Sequence, residues 1–276
     1  MKKVVYQGAR GCFSELAARR FFDGPIKGKN VSRFEDIFET LKNRKGVFGI
    51  IPIENSLTGS IHRNYDLLLE YNCWIIGEVE LKITYDLLAN HQAKQKAIEE
   101  VWSHPIVLEQ CRRFVGKHPE FKVRPVYDSA GAAEMIKKNK RLDVAVIAGP
   151  GIGKLYGLKT IEQRIEDDPQ NFTRFLIISQ MKEIVHGKDL KTTLVFGVKN
   201  EVGILFRCLS IFALRNIDLT KLESRPIISK PWEYLFYIDF NGSIEDENCQ
   251  HAIESLSEAV GYVKCLGSYP VKGWSK

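Results

Sequence analysis

Three short polar segments stand where a buried strand gives way to a helix: Glu54-Asn55-Ser56, Ser103-His104-Pro105 and Asp128-Ser129-Ala130. In α/β sheets, ligands gather outside the carboxyl ends of the strands. Helix N-termini at that edge present free N–H groups and a partial positive charge. A cleft built this way favours a small anion, one carrying more than one carboxylate. The same residue types also cap helices for stability alone. A fourth segment, Asn171-Phe172-Thr173-Arg174-Phe175, is more unusual. Alternation along a strand sets Phe172 and Arg174 on one face and Thr173 and Phe175 on the other. An arginine beside a buried strand needs a partner, because an unpaired charge there is costly. That partner is either Asp167 or Asp168 in a structural ion pair, or a carboxylate of the substrate.

The elements that must position these groups can be read from hydrophobic period. Val4 to Tyr6 is a short buried strand, and Ser14 caps a helix carrying Leu16, Ala17 and Phe21. Ser32 and Glu35 form a capping box before a helix whose Phe34, Ile37, Phe38 and Leu41 make one stripe. Val47 to Ile51 is a second strand. Pro105 suits a first helical turn, and Val107, Leu108, Cys111, Phe114 and Val115 continue that helix. Asp128-Ser129 caps a helix with Ala130, Ala133 and Ile136 inward. Asp143 to Ala148 and Phe172 to Ser179 are buried strands. This alternation predicts an α/β domain with a mostly parallel sheet.

A polar, glycine-containing stretch at 180–191 marks the domain boundary, giving units 1–182 and 191–276. Beyond it the pattern reads strand, helix, strand, strand, helix, strand. This βαββαβ order is that of ferredoxin-like domains.

Composition narrows the function classes. The 276 residues are 44% hydrophobic and 27% charged, within the range of globular chains. The formal net charge of +6 suits small anions. It comes without a concentrated basic patch, so no nucleic-acid partner is expected. The run at 137–141, KKNKR, reads as the solvated end of a helix. The six cysteines form no C-x-x-C pair and the histidines have no ligand spacing, so neither a disulfide framework nor a metal site is expected. No segment approaches the apolar length of a membrane span. The N-terminus shows no signal region, and the cytoplasm is the expected compartment, or an organelle after loss of a leader. Dinucleotide, P-loop and nucleophile-elbow motifs are absent, and the glycines at 149–153 read as a turn before a short helix. No cofactor is expected.

Five segments taken in order resemble prephenate dehydratase over nearly the whole chain. They are Gly8-Ala9-Arg10-Gly11-Cys12-Phe13-Ser14; Pro52-Ile53-Glu54-Asn55-Ser56 with Gly59; Ser103-His104-Pro105 with Gln110-Cys111; Asp128-Ser129-Ala130-Gly131-Ala132-Ala133; and Asn171-Phe172-Thr173-Arg174-Phe175. The resemblance implies two α/β lobes like those of periplasmic binding proteins, with the site between them. It implies Thr173, Asn55 and Gln110 as catalytic residues, with Glu54, Ser56, Ser103, Ser129, Arg174 and Phe175 on the substrate. The C-terminal unit resembles an ACT regulatory domain. Gly203-Ile204-Leu205 and Glu223-Ser224-Arg225-Pro226 match its effector motifs, which implies phenylalanine binding between two such domains in a homodimer or homotetramer. The implied reaction is decarboxylating dehydration of prephenate to phenylpyruvate. Arogenate dehydratase, acting on the amine analogue, is the near alternative. A non-catalytic amino-acid sensor is the alternative from another class, and the presence of Thr173 speaks against it.

Overall fold

The computed structural model describes residues 1–183, 189–199, 201–227, 230 and 232–272. Val4, Val5 and Tyr6 are buried in strand β1 (Lys2–Gln7). Helix α1 (Phe13–Phe21), strand β2 (Ile26–Val31), helix α2 (Phe34–Asn43) and strand β3 (Val47–Asn55) follow. Strand β1 pairs in parallel with both β2 and β3. Ile37, Phe38 and Leu41 recur at helical spacing on α2 and are fully buried, so a single stripe docks that helix on the sheet. Strand β4 (Gly59–Ser60), helix α3 (His62–Glu70) and strand β5 (Trp74–Lys82) complete the first lobe.

The chain then crosses to a second lobe. This holds β6 (Asp86–Ala89), β7 (Glu100–Ser103), α4 (Pro105–Gln110), α5 (Arg112–Gly116), β8 (Lys122–Pro125), α6 (Ser129–Lys138), β9 (Val144–Ala148), α7 (Ile152–Tyr156) and β10 (Lys159–Glu162). Its strands lie in the order β10-β6-β9-β7-β8. Strand β11 (Phe172–Ser179) returns to the first lobe and inserts antiparallel between β3 and β5.

The C-terminal unit runs β12 (Leu190–Val198), α8 (Ile204–Ala213), β13 (Leu219–Pro226), β14 (Tyr234–Asn241), α9 (Glu247–Ala259) and β15 (Tyr262–Lys272). This is the βαββαβ order expected. Its strand β15 runs past Leu266, where the sequence pattern ends, and pairs in parallel with β5 through Val271 and Lys272. One continuous sheet results, in the order β2-β1-β3-β11-β5-β15-β12-β14-β13. Val195, Tyr237, Leu266 and Tyr269 of the C-terminal unit share a core with Ile51, Tyr65, Leu68 and Leu176 of the first lobe.

Several local expectations are corrected. The sheets of the two lobes are mixed, not mostly parallel: β11 is antiparallel to β3 and β5, and β6 to β9 and β10. These strands adjoin the two crossings between lobes, a non-local arrangement that leaves no periodicity to read. Ser14 lies within the first turn of α1, and Cys12 is its N-cap. At α2 the cap moves one residue, to Arg33, and Asp36 accepts from its backbone N–H at 3.1 Å and its guanidinium at 2.9 Å. The helix expected through Val115 breaks at Cys111, which separates α4 from α5. Part of the expected domain boundary, 184–188, lies outside the described residues.

Candidate functional site

The two lobes face each other across a cavity of about 380 Å³. Three hydrogen bonds join the lobes. Ala9 donates its N–H to Asp128 Oδ2 at 2.8 Å, Tyr156 its hydroxyl to the Arg10 carbonyl at 3.0 Å, and Tyr127 its hydroxyl to the Ser32 carbonyl at 2.7 Å.

Thr173 and Asn55 are cross-strand partners on β11 and β3, both buried and both facing the cavity. The Asn55 amide has a fixed sense. Its Oδ1 accepts the backbone N–H groups of Leu57 (3.1 Å) and Thr58 (3.0 Å), which can only donate. Nδ2 therefore points at Asn171 Oδ1 (2.7 Å), the Phe172 carbonyl (3.0 Å) and Thr173 Oγ1 (3.0 Å). Thr173 thus accepts from Asn55, and its own hydroxyl proton is left for the cavity. Phe175, one alternation further along β11, adds an apolar wall.

The second lobe contributes Gln110 from the end of α4 and Ser129 from the start of α6. Ser129 Oγ accepts the His104 backbone N–H at 3.1 Å and bonds Ser103 Oγ at 2.8 Å. Ser103 is fully buried beneath it and donates to the Ile147 carbonyl at 2.6 Å. It supports the wall without lining it. His104 Nδ1 accepts the Ile106 N–H at 3.2 Å, which in the neutral ring puts the proton on Nε2. Burial lowers its pKa, against a smaller opposing effect of Asp128.

Helices α1, α4 and α6 all begin at this cavity, through Phe13 and Ser14, Ile106 and Val107, and Ser129 and Ala130. Among the described residues the lining contains no lysine or arginine. Positive potential comes from backbone N–H groups and neutral donors. Asp128 is the lone carboxylate there. Both its oxygens are engaged, Oδ2 by Ala9 and Oδ1 by the Ala130 N–H at 3.1 Å.

Glu54, Arg174 and Ser56, expected on the substrate, are placed elsewhere. Ser56 joins its loop to β11, donating to the Gln170 carbonyl (2.8 Å) and accepting the Phe172 N–H (2.9 Å). Glu54 and Arg174 are also cross-strand partners, one residue from Asn55 and Thr173, and therefore face the opposite way. Arg174 bonds Glu54 at 2.8 Å, Glu78 at 2.6 Å and Asp239 at 2.7 Å, not Asp167 or Asp168. Lys191 binds Glu78 at 2.7 Å, and Lys221 binds Glu54 at 3.0 Å. Burial raises the pKa of Glu78 and Glu54, but the neighbouring cations outweigh it and hold both below the usual glutamate range.

The two motifs matched to an effector site lie apart within one chain. Gly203, Ile204 and Leu205 line a cavity of about 230 Å³ with Tyr234 and Phe236. Glu223 instead bonds Ser60 and His62, and Arg225 bonds Asp66 at 2.9 Å, all in the first lobe. Ser224 and Pro226 alternate with them on the exposed face of β13, an edge strand.

Tyr85, His104 and Asp128 line the site but were not assigned to it from sequence. His104 and Asp128 sat within segments already singled out. Tyr85 lies between β5 and β6, where no motif pointed.

The prephenate dehydratase family profile matches residues 4–183. Arogenate dehydratase/prephenate dehydratase 2 of Arabidopsis thaliana is 40% identical over 280 residues, covering 98% of this chain and 73% of its own. The prephenate dehydratase of Arthrobacter aurescens in complex with L-Phe superposes with a TM-score of 0.86 at 26% identity, covering 97% of this chain and 90% of that one. A protein described as GqqA, a novel type of quorum-quenching acylase, superposes with a TM-score of 0.89 at 26% identity, covering 98% of both chains.

Proposed function

Because the chain belongs to the prephenate dehydratase family, we propose that it converts prephenate to phenylpyruvate, carbon dioxide and water in this cleft. The observation that carries the reading is the polarity of the Asn55–Thr173 hydrogen bond. As the ring carboxylate leaves as CO2, its bonding electrons pass into the ring and expel the ring hydroxyl. That oxygen takes the Thr173 proton and departs as water, and solvent restores the proton. The Asn55 N–H stabilises the charge that develops on Thr173 Oγ1. Aromatisation drives the step, so the site needs orientation and a proton, not a strong nucleophile.

The absence of lysine and arginine from the described lining fits this chemistry. A cation on the departing carboxylate would stabilise the ground state and oppose its conversion to neutral CO2. The N-terminus of α1, which has no side-chain cap, supplies milder attraction for the surviving carboxylate.

The similarity to an acylase raises a second reading, hydrolysis of an N-acyl bond. That chemistry needs an activated nucleophile. Here Thr173 and Ser129 each accept a hydrogen bond from an N–H, and burial pushes the Cys12 thiol up to about 12. Deactivated oxygens and a protonated thiol favour dehydration.

The C-terminal unit, in this proposal, is an ACT-type sensor that binds phenylalanine at the Gly203–Leu205 cavity and pairs with a second copy along β13. A homodimer or homotetramer is therefore expected, with no nucleic-acid partner. No described helix is long and apolar enough to cross a membrane.

Purified protein incubated separately with prephenate, arogenate and an N-acyl homoserine lactone tests the reading. Phenylpyruvate formed from prephenate, and lost in Thr173→Val, supports it. Preference for arogenate changes the substrate and keeps the mechanism. Lactone turnover alone overturns it.

A further inference from the structure

Gln110 is a flexible amide at the end of a short helix, and its usefulness depends on which end faces the cavity. Tyr85 Oη lies 2.8 Å from Gln110 Oε1. Tyr85 is buried, and burial raises its pKa, so the phenol stays neutral and keeps its proton. A buried hydroxyl proton needs an acceptor, and Gln110 Oε1 is the acceptor at hand. Donation by Tyr85 occupies that oxygen and leaves the Gln110 NH2 group as the end presented to a ligand.

Tyr85 is itself held firmly. Its backbone N–H donates to Glu166 Oε2 at 2.9 Å, and its carbonyl accepts the Ile165 N–H at 2.9 Å. Its ring meets Phe13 edge to face at 5.9 Å. The Gln110 carbonyl accepts the Asp167 N–H at 2.7 Å. One tyrosine thus ties the outgoing crossing between lobes, the returning crossing and the first turn of α1 to a single amide in the site.

We infer that Tyr85 is a positioning residue that fixes Gln110 as a hydrogen-bond donor to the substrate. The inference rests on the dehydratase reading for its effect on rate, although the hydrogen bond itself does not. In a cavity whose described lining has no lysine or arginine, each neutral donor matters. An amide turned the other way would set a carbonyl oxygen against a dianionic substrate. Removing the phenol oxygen permits that turn and leaves Gln110 Oε1 without its donor.

The test is a double-mutant cycle of Tyr85→Phe and Gln110→Ala, with prephenate turnover and the 15N side-chain amide signals of Gln110 both followed. Loss of a buried hydrogen bond of this kind lowers kcat by about 10- to 100-fold. We expect that loss in Tyr85→Phe, with KM changed by less than about threefold. In the Gln110→Ala background the same substitution should have almost no further effect, because a residue acting through Gln110 has nothing left to position. The Gln110 amide signals should move in Tyr85→Phe. A wild-type kcat in Tyr85→Phe, or losses that multiply in the double variant, overturns the inference. Unmoved amide signals overturn it too, whatever the assay shows. An inactive wild type whose Gln110 signals still respond to Tyr85→Phe sinks the dehydratase reading and the rate effect, and leaves the hydrogen bond standing.

Discussion

The two faces of the β3–β11 pair carry opposite electrostatic solutions one residue apart. On one face Asn55 and Thr173 meet through neutral groups and look into the cleft. On the other, Glu54 and Arg174 join Glu78, Lys191, Lys221 and Asp239 in a dense ion network against the C-terminal unit. Period-two alternation makes the division unavoidable, since adjacent residues on a strand cannot share a face. The contrast teaches where each kind of group is useful. Charge holds two structural units together in a buried seam. Neutral donors suit the proposed reaction, in which a carboxylate must lose its charge.

Substitutions on the two faces should therefore separate rate from stability. Thr173→Val is expected to lower kcat by about 10³-fold or more, with the urea midpoint almost unchanged. A rate near wild type would break the comparison at its cleft face. Arg174→Met should do the reverse as its first effect, costing about 3–5 kcal/mol of stability because buried Asp239 loses its cation and buried Glu78 keeps only Lys191. Urea unfolding measures this, and a wild-type midpoint would mean that the network is only decorative. The junction should also be acid-sensitive. Glu54 and Glu78 have folded pKa values held below the ordinary 4.5, so their contribution is complete above about that pH and is lost as pH falls through the depressed values. Urea midpoints should stay level from pH 7 to 5 and drop below about 4.5, and Arg174→Met should flatten that drop. Arg225→Ala removes the partly exposed pair with Asp66 and should cost no more than about 1 kcal/mol. Its basal turnover should persist while any response to phenylalanine weakens. An undiminished response would place sensing away from β13.

Much of this was open to reading because local chemistry and periodicity are sequence properties. The stripe on α2, the Asp128 cap of α6, the Pro105 start of α4 and the βαββαβ order all follow from residue types at fixed spacing. The alternation that separates Thr173 from Arg174 was equally visible. What lay on either side was not. Arg174 was expected to pair with Asp167, Asp168 or substrate, yet its partners come from β3, β5 and β14, up to 120 residues away. Glu54 shares a motif with Asn55, yet strand pairing turns it to the other face. Tyr85 belonged to no motif, because its role comes from the meeting of two lobe crossings distant in sequence. Sequence by itself determined the inventory of elements, the neutral hydroxyl and amides suited to hydrogen-bond donation, and the family to which they point. Only the tertiary structure decided which groups share a face, because strand order and lobe crossing join residues through contacts that no local period records.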